Sequence, residues 1–127
     1  MIAVDTSALM AVILDEPPAT ACIRALESAP GLVISAATVA EALIVATRRG
    51  VSAEMQELAD QLGFEIVSVS AATAKRVGDI YRKWGKGRHA AGLNFGDCFA
   101  YDTARTYTCP LLFVGDDFSK TDLESVL

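Results

Sequence analysis

An α/β fold, built on a mainly parallel sheet with helices on both faces, is predicted by three features of this sequence. Four short apolar runs rich in Val, Ile, Leu or Phe recur along the chain, and longer stretches with helical periodicity and recognisable caps separate them. Strands that alternate with helices pair in parallel, and right-handed crossovers follow as the default. At 127 residues, 52% hydrophobic and 21% charged, the chain suits one domain, residues 1–127, with a well-buried core.

The strands are expected at 1–4, 32–35, 64–69 and 111–114. After the first strand, Thr6–Leu14 reads as a helix that stops before Pro17-Pro18. Those prolines open a second helix running to Ser28, because proline is tolerated in a first turn. Thr38–Arg49 is helical and ends at Gly50, with Arg48 and Arg49 in its last turn. Ser52 is placed as the N-cap of a helix over 53–62, which Gly63 terminates. Ser70 starts a further helix to Trp84. A glycine-rich loop, GKGRHAAGLN, follows, and a helix over 95–107 ends before Pro110.

Composition excludes several classes of function. No apolar run is long enough to span a membrane, and no basic segment precedes a greasy one as in a secretory signal. The three cysteines, Cys22, Cys98 and Cys109, fit no zinc or CxxC spacing and read as reduced thiols in a cytoplasm. A single histidine, His89, rules out any site that needs several imidazoles. GKGRHAAG contains GxG but no GxGxxG, and it follows a helix, so no nucleotide cofactor is expected. The net charge of −5 argues against nucleic acid, yet six of the eleven Lys and Arg residues fall between positions 75 and 88.

The informative residues are carboxylates in unusual places. Met1-Ile2-Ala3-Val4 runs into Asp5, and Leu111–Val114 runs through Gly115 into Asp116 and Asp117. Both acidic positions lie at carboxyl ends of strands, where open parallel sheets form their sites. Glu41 lies in TVAEALIVAT with no Lys or Arg three or four residues away, and a buried unpaired carboxylate is costly. Asp97 sits early in the apolar helix of LNFGDCFAYDTA. Each acid has an ordinary reading too: a helix N-cap for Asp5, a helix-dipole partner for Asp97, a turn for Asp116-Asp117. Trp84, with Tyr81 one turn earlier, reads as core or interface rather than as a stacking platform. Asp102, about 140° around the helix from Asp97, is left outside the site.

Carboxylates gathered at one end of a sheet repel one another, and a hard cation is what makes them tolerable together. An all-oxygen donor set suits Mg²⁺, with Mn²⁺ as the substitute. Such ions activate water and stabilise the charge that builds on a phosphodiester.

VDTSA at the start, the TxAE stretch around Glu41, LNFGDCFAYDTA and LLFVGDDFSKTDL closely resemble the PIN-domain ribonucleases of the VapC toxin type, over essentially the whole chain. The resemblance implies a three-layer α/β/α sandwich with a four- to five-stranded parallel sheet; a fifth strand would have only Glu124–Leu127 to draw on. It implies a Mg²⁺-dependent endoribonuclease whose acidic quartet is Asp5, Glu41, Asp97 and Asp116. Asp117 assists, and Thr6 and Ser7 support the first carboxylate. It further implies a homodimer and a VapB-type antitoxin whose C-terminal arm crosses the groove. In this reading the basic 75–89 region, with Lys86, Arg88 and His89 as contacts, guides the RNA backbone. Two alternatives differ in class: a receiver-like phospho-acceptor module, and a non-catalytic binding protein on the same scaffold.

Overall fold

The computed structural model describes all 127 residues. Its elements, in chain order, are β1 (Ile2–Val4), α1 (Thr6–Ile13), α2 (Ala19–Ser28), β2 (Leu32–Ser35), α3 (Ala36–Arg48), α4 (Ser52–Leu62), β3 (Glu65–Val67), α5 (Ala71–Trp84), α6 (Phe95–Thr106) and β4 (Leu111–Leu112). The four strands form one parallel sheet in the order β3-β2-β1-β4.

Strand alternation divides the interior in two. Ile2, Val4, Leu32, Ile34 and Leu112 face one core, closed by α1 to α4; Ala3, Val33, Leu111 and Phe113 face the other, closed by α5 and α6. Residues one apart on a strand point to opposite faces, so apolar runs without polar interruption need helices on both sides. That is the three-layer sandwich expected of the sequence.

Local signals set most of the boundaries. Gly63 ends α4 in the left-handed region at φ +64°, and Ser70 with Thr73 forms a reciprocal capping box at the start of α5. Ser52, expected as a cap, is instead the first residue of α4; Val51 precedes it and no side chain caps that end. β3 is shorter than expected because it is an exposed edge, with Ile66 56% accessible. Beyond β4 the chain returns to the sheet: Leu111 N–H donates to the Glu124 carbonyl at 2.9 Å, and Val126 N–H to the Leu111 carbonyl at 3.1 Å. This single parallel bridge at Ser125 is a rudimentary fifth strand. No helix is long and apolar enough to cross a membrane.

The strand order reverses at β1. From β1 the chain builds outward through β2 to β3, then returns to place β4 on the other side. The crevice beyond the carboxyl ends of β1 and β4 is therefore the topological switch point, where open α/β sheets place ligands.

Candidate active site

Asp5 leaves β1 at this crevice and is 4% exposed. Its backbone N–H remains in the sheet, donating to the Leu112 carbonyl at 3.0 Å. Its side chain caps α1: Oδ2 accepts from Ser7 N–H at 3.0 Å and from Ser7 Oγ at 2.6 Å. The capping reading is thus correct, and it accounts for one oxygen only. Asp5 Oδ1 is buried without a hydrogen-bond partner. Burial, with a smaller contribution from Glu41, pushes the Asp5 carboxyl up to about 6, against the lowering effect of the Ser7 bonds.

Glu41 finds its partner 35 residues away, since Thr6 Oγ1 donates to Glu41 Oε1 at 2.6 Å. The other oxygen, Oε2, lies over Gly96 in the first turn of α6, where any Cβ would collide with it. Asp97 has a structural duty as well. Asn94 N–H donates to Asp97 Oδ2 at 3.0 Å and Asp97 N–H donates to Asn94 Oδ1 at 2.9 Å, a capping box for α6. Burial, then the like charges of Asp5, Asp117 and Glu41, raises the Asp97 carboxyl to about 6.

The pattern repeats across three elements. Asp5, Glu41 and Asp97 each commit one carboxylate oxygen to the protein and leave the second without a protein donor. Ser7 also ties the two strand ends together, because its Oγ accepts from Val114 N–H at 3.0 Å. Asp116 and Asp117 are exposed beyond β4. Of these two, Asp117 is the one that acts on Asp97 as a like charge, alongside Asp5 and Glu41; the carbonyl of Asp116 accepts from Ser119 N–H at 3.2 Å. No three of these carboxylates close around one point as a ready-made cage.

The basic segment divides in a way its composition does not reveal. Arg76 makes a bidentate pair with Asp102, at 2.7 and 3.1 Å. Arg82 pairs with Asp79 at 2.6 Å, and Lys83 lies 5.0 Å above the Trp84 ring. Lys75, Lys86 and Arg88 form no ion pair. His89 packs edge-on against Trp84, and its Nδ1 accepts from Ala91 N–H at 2.9 Å, so it braces the loop. Two contributors escaped sequence reasoning. Gly96 carries no local signal for its role, and Asn94 became visible only as the cap that fixes Asp97.

Comparison with known proteins bears on this geometry. The family model for the PIN domain matches residues 2–124. Ribonuclease VapC36 of Mycobacterium tuberculosis is 46% identical over 125 residues, covering 95% of this chain and 90% of that protein. Ribonuclease VapC of Mycolicibacterium smegmatis is 39% identical, covering 97% and 98%. Among solved structures, Mycobacterium tuberculosis VapC20, described as a sarcin-ricin loop cleaving toxin, superposes with a TM-score of 0.82 at 17% identity, over 99% of this chain and 98% of that one. A toxin-antitoxin complex from Klebsiella pneumoniae gives 0.69 at 19% identity, over 96% and 93%.

Proposed function

The chain belongs to the PIN-domain family, in its VapC branch, and from that membership we propose that it is a Mg²⁺-dependent endoribonuclease acting as the toxin of a type II toxin–antitoxin pair. The family sets aside the receiver-like alternative. The observation that carries the reading is Asp5 Oδ1: a buried, unpartnered oxygen on a carboxylate that burial and a neighbouring acid hold near pH 6. A structural N-cap has no need of that second oxygen, whereas a cation ligand does.

Asp5, Glu41 and Asp97 would hold the cation, Mg²⁺ or Mn²⁺, with Asp116 and Asp117 at the mouth. The bound cation supplies activation of water and neutralisation of the charge that builds on the phosphodiester. The chain supplies the positions. Ser7 holds the Asp5 carboxylate, Thr6 holds Glu41, and the Asn94 cap holds Asp97, each through one oxygen, leaving the other for a cation. Lys75, Lys86 and Arg88 would receive the RNA backbone. The proposal includes a homodimer and a VapB-type antitoxin whose arm sets cationic side chains against the acidic groups.

The test is cleavage of folded RNAs in Mg²⁺ by the parent, by Asp5→Asn and by Asp97→Asn. Both variants keep a cap-competent side chain and lose the charge. Loss of cutting in both, with unchanged circular dichroism, is the expected result. Parent-like cutting by both overturns the assignment. A parent that neither cuts RNA nor binds Mg²⁺ by calorimetry points to the non-catalytic scaffold.

A further inference from the structure

Beside the acidic groups the surface opens into a hollow of about 580 Å³ whose walls include Val77, Tyr81, Lys86, Asn94, Phe95 and Cys98. Its volume falls within the roughly 300–1,000 Å³ of small-molecule sites. It shares Asn94 with the Asp97 carboxylate, and Phe95 directly precedes Gly96, against which Glu41 rests. The hollow and the acidic site are therefore two sides of one helix end.

Its aromatic rings are held and exposed. Phe95 is 75% accessible, and the edge of Phe99 braces it, with ring centroids 5.1 Å apart at 70°. An aromatic ring that open has only this edge contact with the core and leaves its faces to solvent. Tyr81, 39% accessible, is pinned by its hydroxyl, which donates to the Lys86 carbonyl at 3.1 Å. Trp84 belongs to the interior instead, its Nε1 donating to Tyr101 Oη at 3.1 Å. Outside the rings lie cations. Lys86 lines the hollow itself, and Arg88 lines a second hollow that shares Gly78 and Tyr81 with the first.

We propose that this hollow takes one unstacked RNA base next to the bond that is cut, with Phe95 and Tyr81 as stacking surfaces and Lys86 and Arg88 on the flanking phosphates. The inference rests on the ribonuclease reading and deepens it. Sequence-directed RNA recognition works on single-stranded bases splayed onto aromatic rings, because an A-form duplex hides its base edges in a deep, narrow groove. Aromatic walls, an amide at Asn94 and cations at the rim match a nucleotide, and an apolar peptide side chain would leave Lys86 and Arg88 unmatched.

The test uses the full chain with Glu41→Gln in every protein, so that RNA survives, and Mg²⁺ present. Short labelled single-stranded oligoribonucleotides and an RNA duplex are titrated by fluorescence anisotropy. Phe95→Ala and Phe95→Leu are expected to bind the single strands about tenfold more weakly, and Phe95→Tyr as tightly as the parent, with duplex binding unchanged. Parent-like binding by Phe95→Ala overturns the proposal. So does full restoration by Phe95→Leu, which would mean apolar contact rather than stacking. A Phe95→Ala chain whose sedimentation shows a changed association state assigns the face to a second copy and also overturns it. If the Glu41→Gln chain with Phe95 intact does not bind RNA, and the unsubstituted chain, assayed separately, does not cut it, the ribonuclease reading fails as well, a result distinct from loss of the base site alone.

Discussion

Gly96 lies against the Glu41 carboxylate so closely that a Cβ at position 96 would fall inside the envelope of Oε2. Two helices meet there, α3 bringing the acid and α6 making room for it. Gly96→Ala is therefore expected to separate stability from activity. Alanine is the better helix former by about 1 kcal/mol, and the atom it meets is the end of a flexible side chain, so unfolding free energy should change by no more than about that amount. Displacing Glu41 breaks its bond from Thr6 and moves it away from Asp5 and Asp97, and RNA cleavage should fall at least about tenfold. Denaturant titration and a cleavage time course check the two halves, and equal losses in both would show the glycine to be merely structural.

Asp97→Asn should melt no lower than the parent when Mg²⁺ is absent. The amide can still accept from Asn94 N–H, so the capping box survives, while repulsion from Asp5, Glu41 and Asp117 disappears. Mg²⁺ should raise the melting temperature of the parent more than that of the variant, because ligand binding to the native state stabilises by mass action. Calorimetric scans with EDTA and with Mg²⁺ measure both.

Which of these features the sequence could reveal follows from the range of the forces involved. Asp5 at the end of β1, Gly63 after α4 and Ser70 before α5 are local patterns found where expected, whereas β4 stops at Leu112, short of the expected 111–114, so Asp116-Asp117 follow it across an irregular stretch rather than sitting at its end. Glu41 announced that it needed a distant partner, but no local rule could name Thr6, 35 residues away. Gly96 owes its role entirely to packing between α3 and α6. The exposure of Phe95 was hidden as well, since periodicity cannot distinguish the first residue of an apolar helix from its buried successors. The basic run from 75 to 88 looked uniform because Asp102, which takes Arg76 out of it, lies 26 positions away.

The metal-free chain should lose stability as pH rises through the acidic range. The Asp5 carboxyl moves from 3.8 to about 6 on folding, so between those values the native state binds more protons than the unfolded state. Stability held at low pH is then given up as the native group ionises near pH 6, and little further change follows above neutrality. A shift of about two units corresponds to roughly 3 kcal/mol as an upper bound; Asp97 acts in the same direction. Mg²⁺ should reverse the trend, since it binds the ionised groups. Urea unfolding in EDTA across this range, repeated with Mg²⁺, reads the sign, and Asp5→Asn should flatten the metal-free profile.

Ser7→Ala should cost about 1–3 kcal/mol of stability, because it leaves Val114 N–H without its acceptor and removes two polar partners at once. It should also raise the Asp5 carboxyl further, since the Ser7 hydroxyl bond is the largest of the effects that hold it down, while the backbone bonds from Ser7 and Thr6 remain. Chemical denaturation gives the first effect. The acid limb of the cleavage pH profile, moved to higher pH, gives the second.

The basic segment should behave as two populations. Arg76 spends its guanidinium on Asp102, which is 6% exposed, and Arg82 is paired with Asp79. Arg76→Gln leaves a buried carboxylate without its cation, so the chain should be destabilised by about 2 kcal/mol or more, while RNA affinity and its salt dependence stay as they were. Lys86 and Arg88 form no ion pair in the protein, and their charge is available to phosphate. Removing both as Lys86→Gln/Arg88→Gln should reduce the slope of log affinity against log salt by roughly 1.4, about 0.7 for each phosphate of a single strand that is no longer neutralised. Thermal melting should barely change, because both side chains are exposed. Binding titrations over a series of salt concentrations distinguish the two. A slope altered by Arg76→Gln and untouched by the double variant would mean that RNA follows another path across this surface.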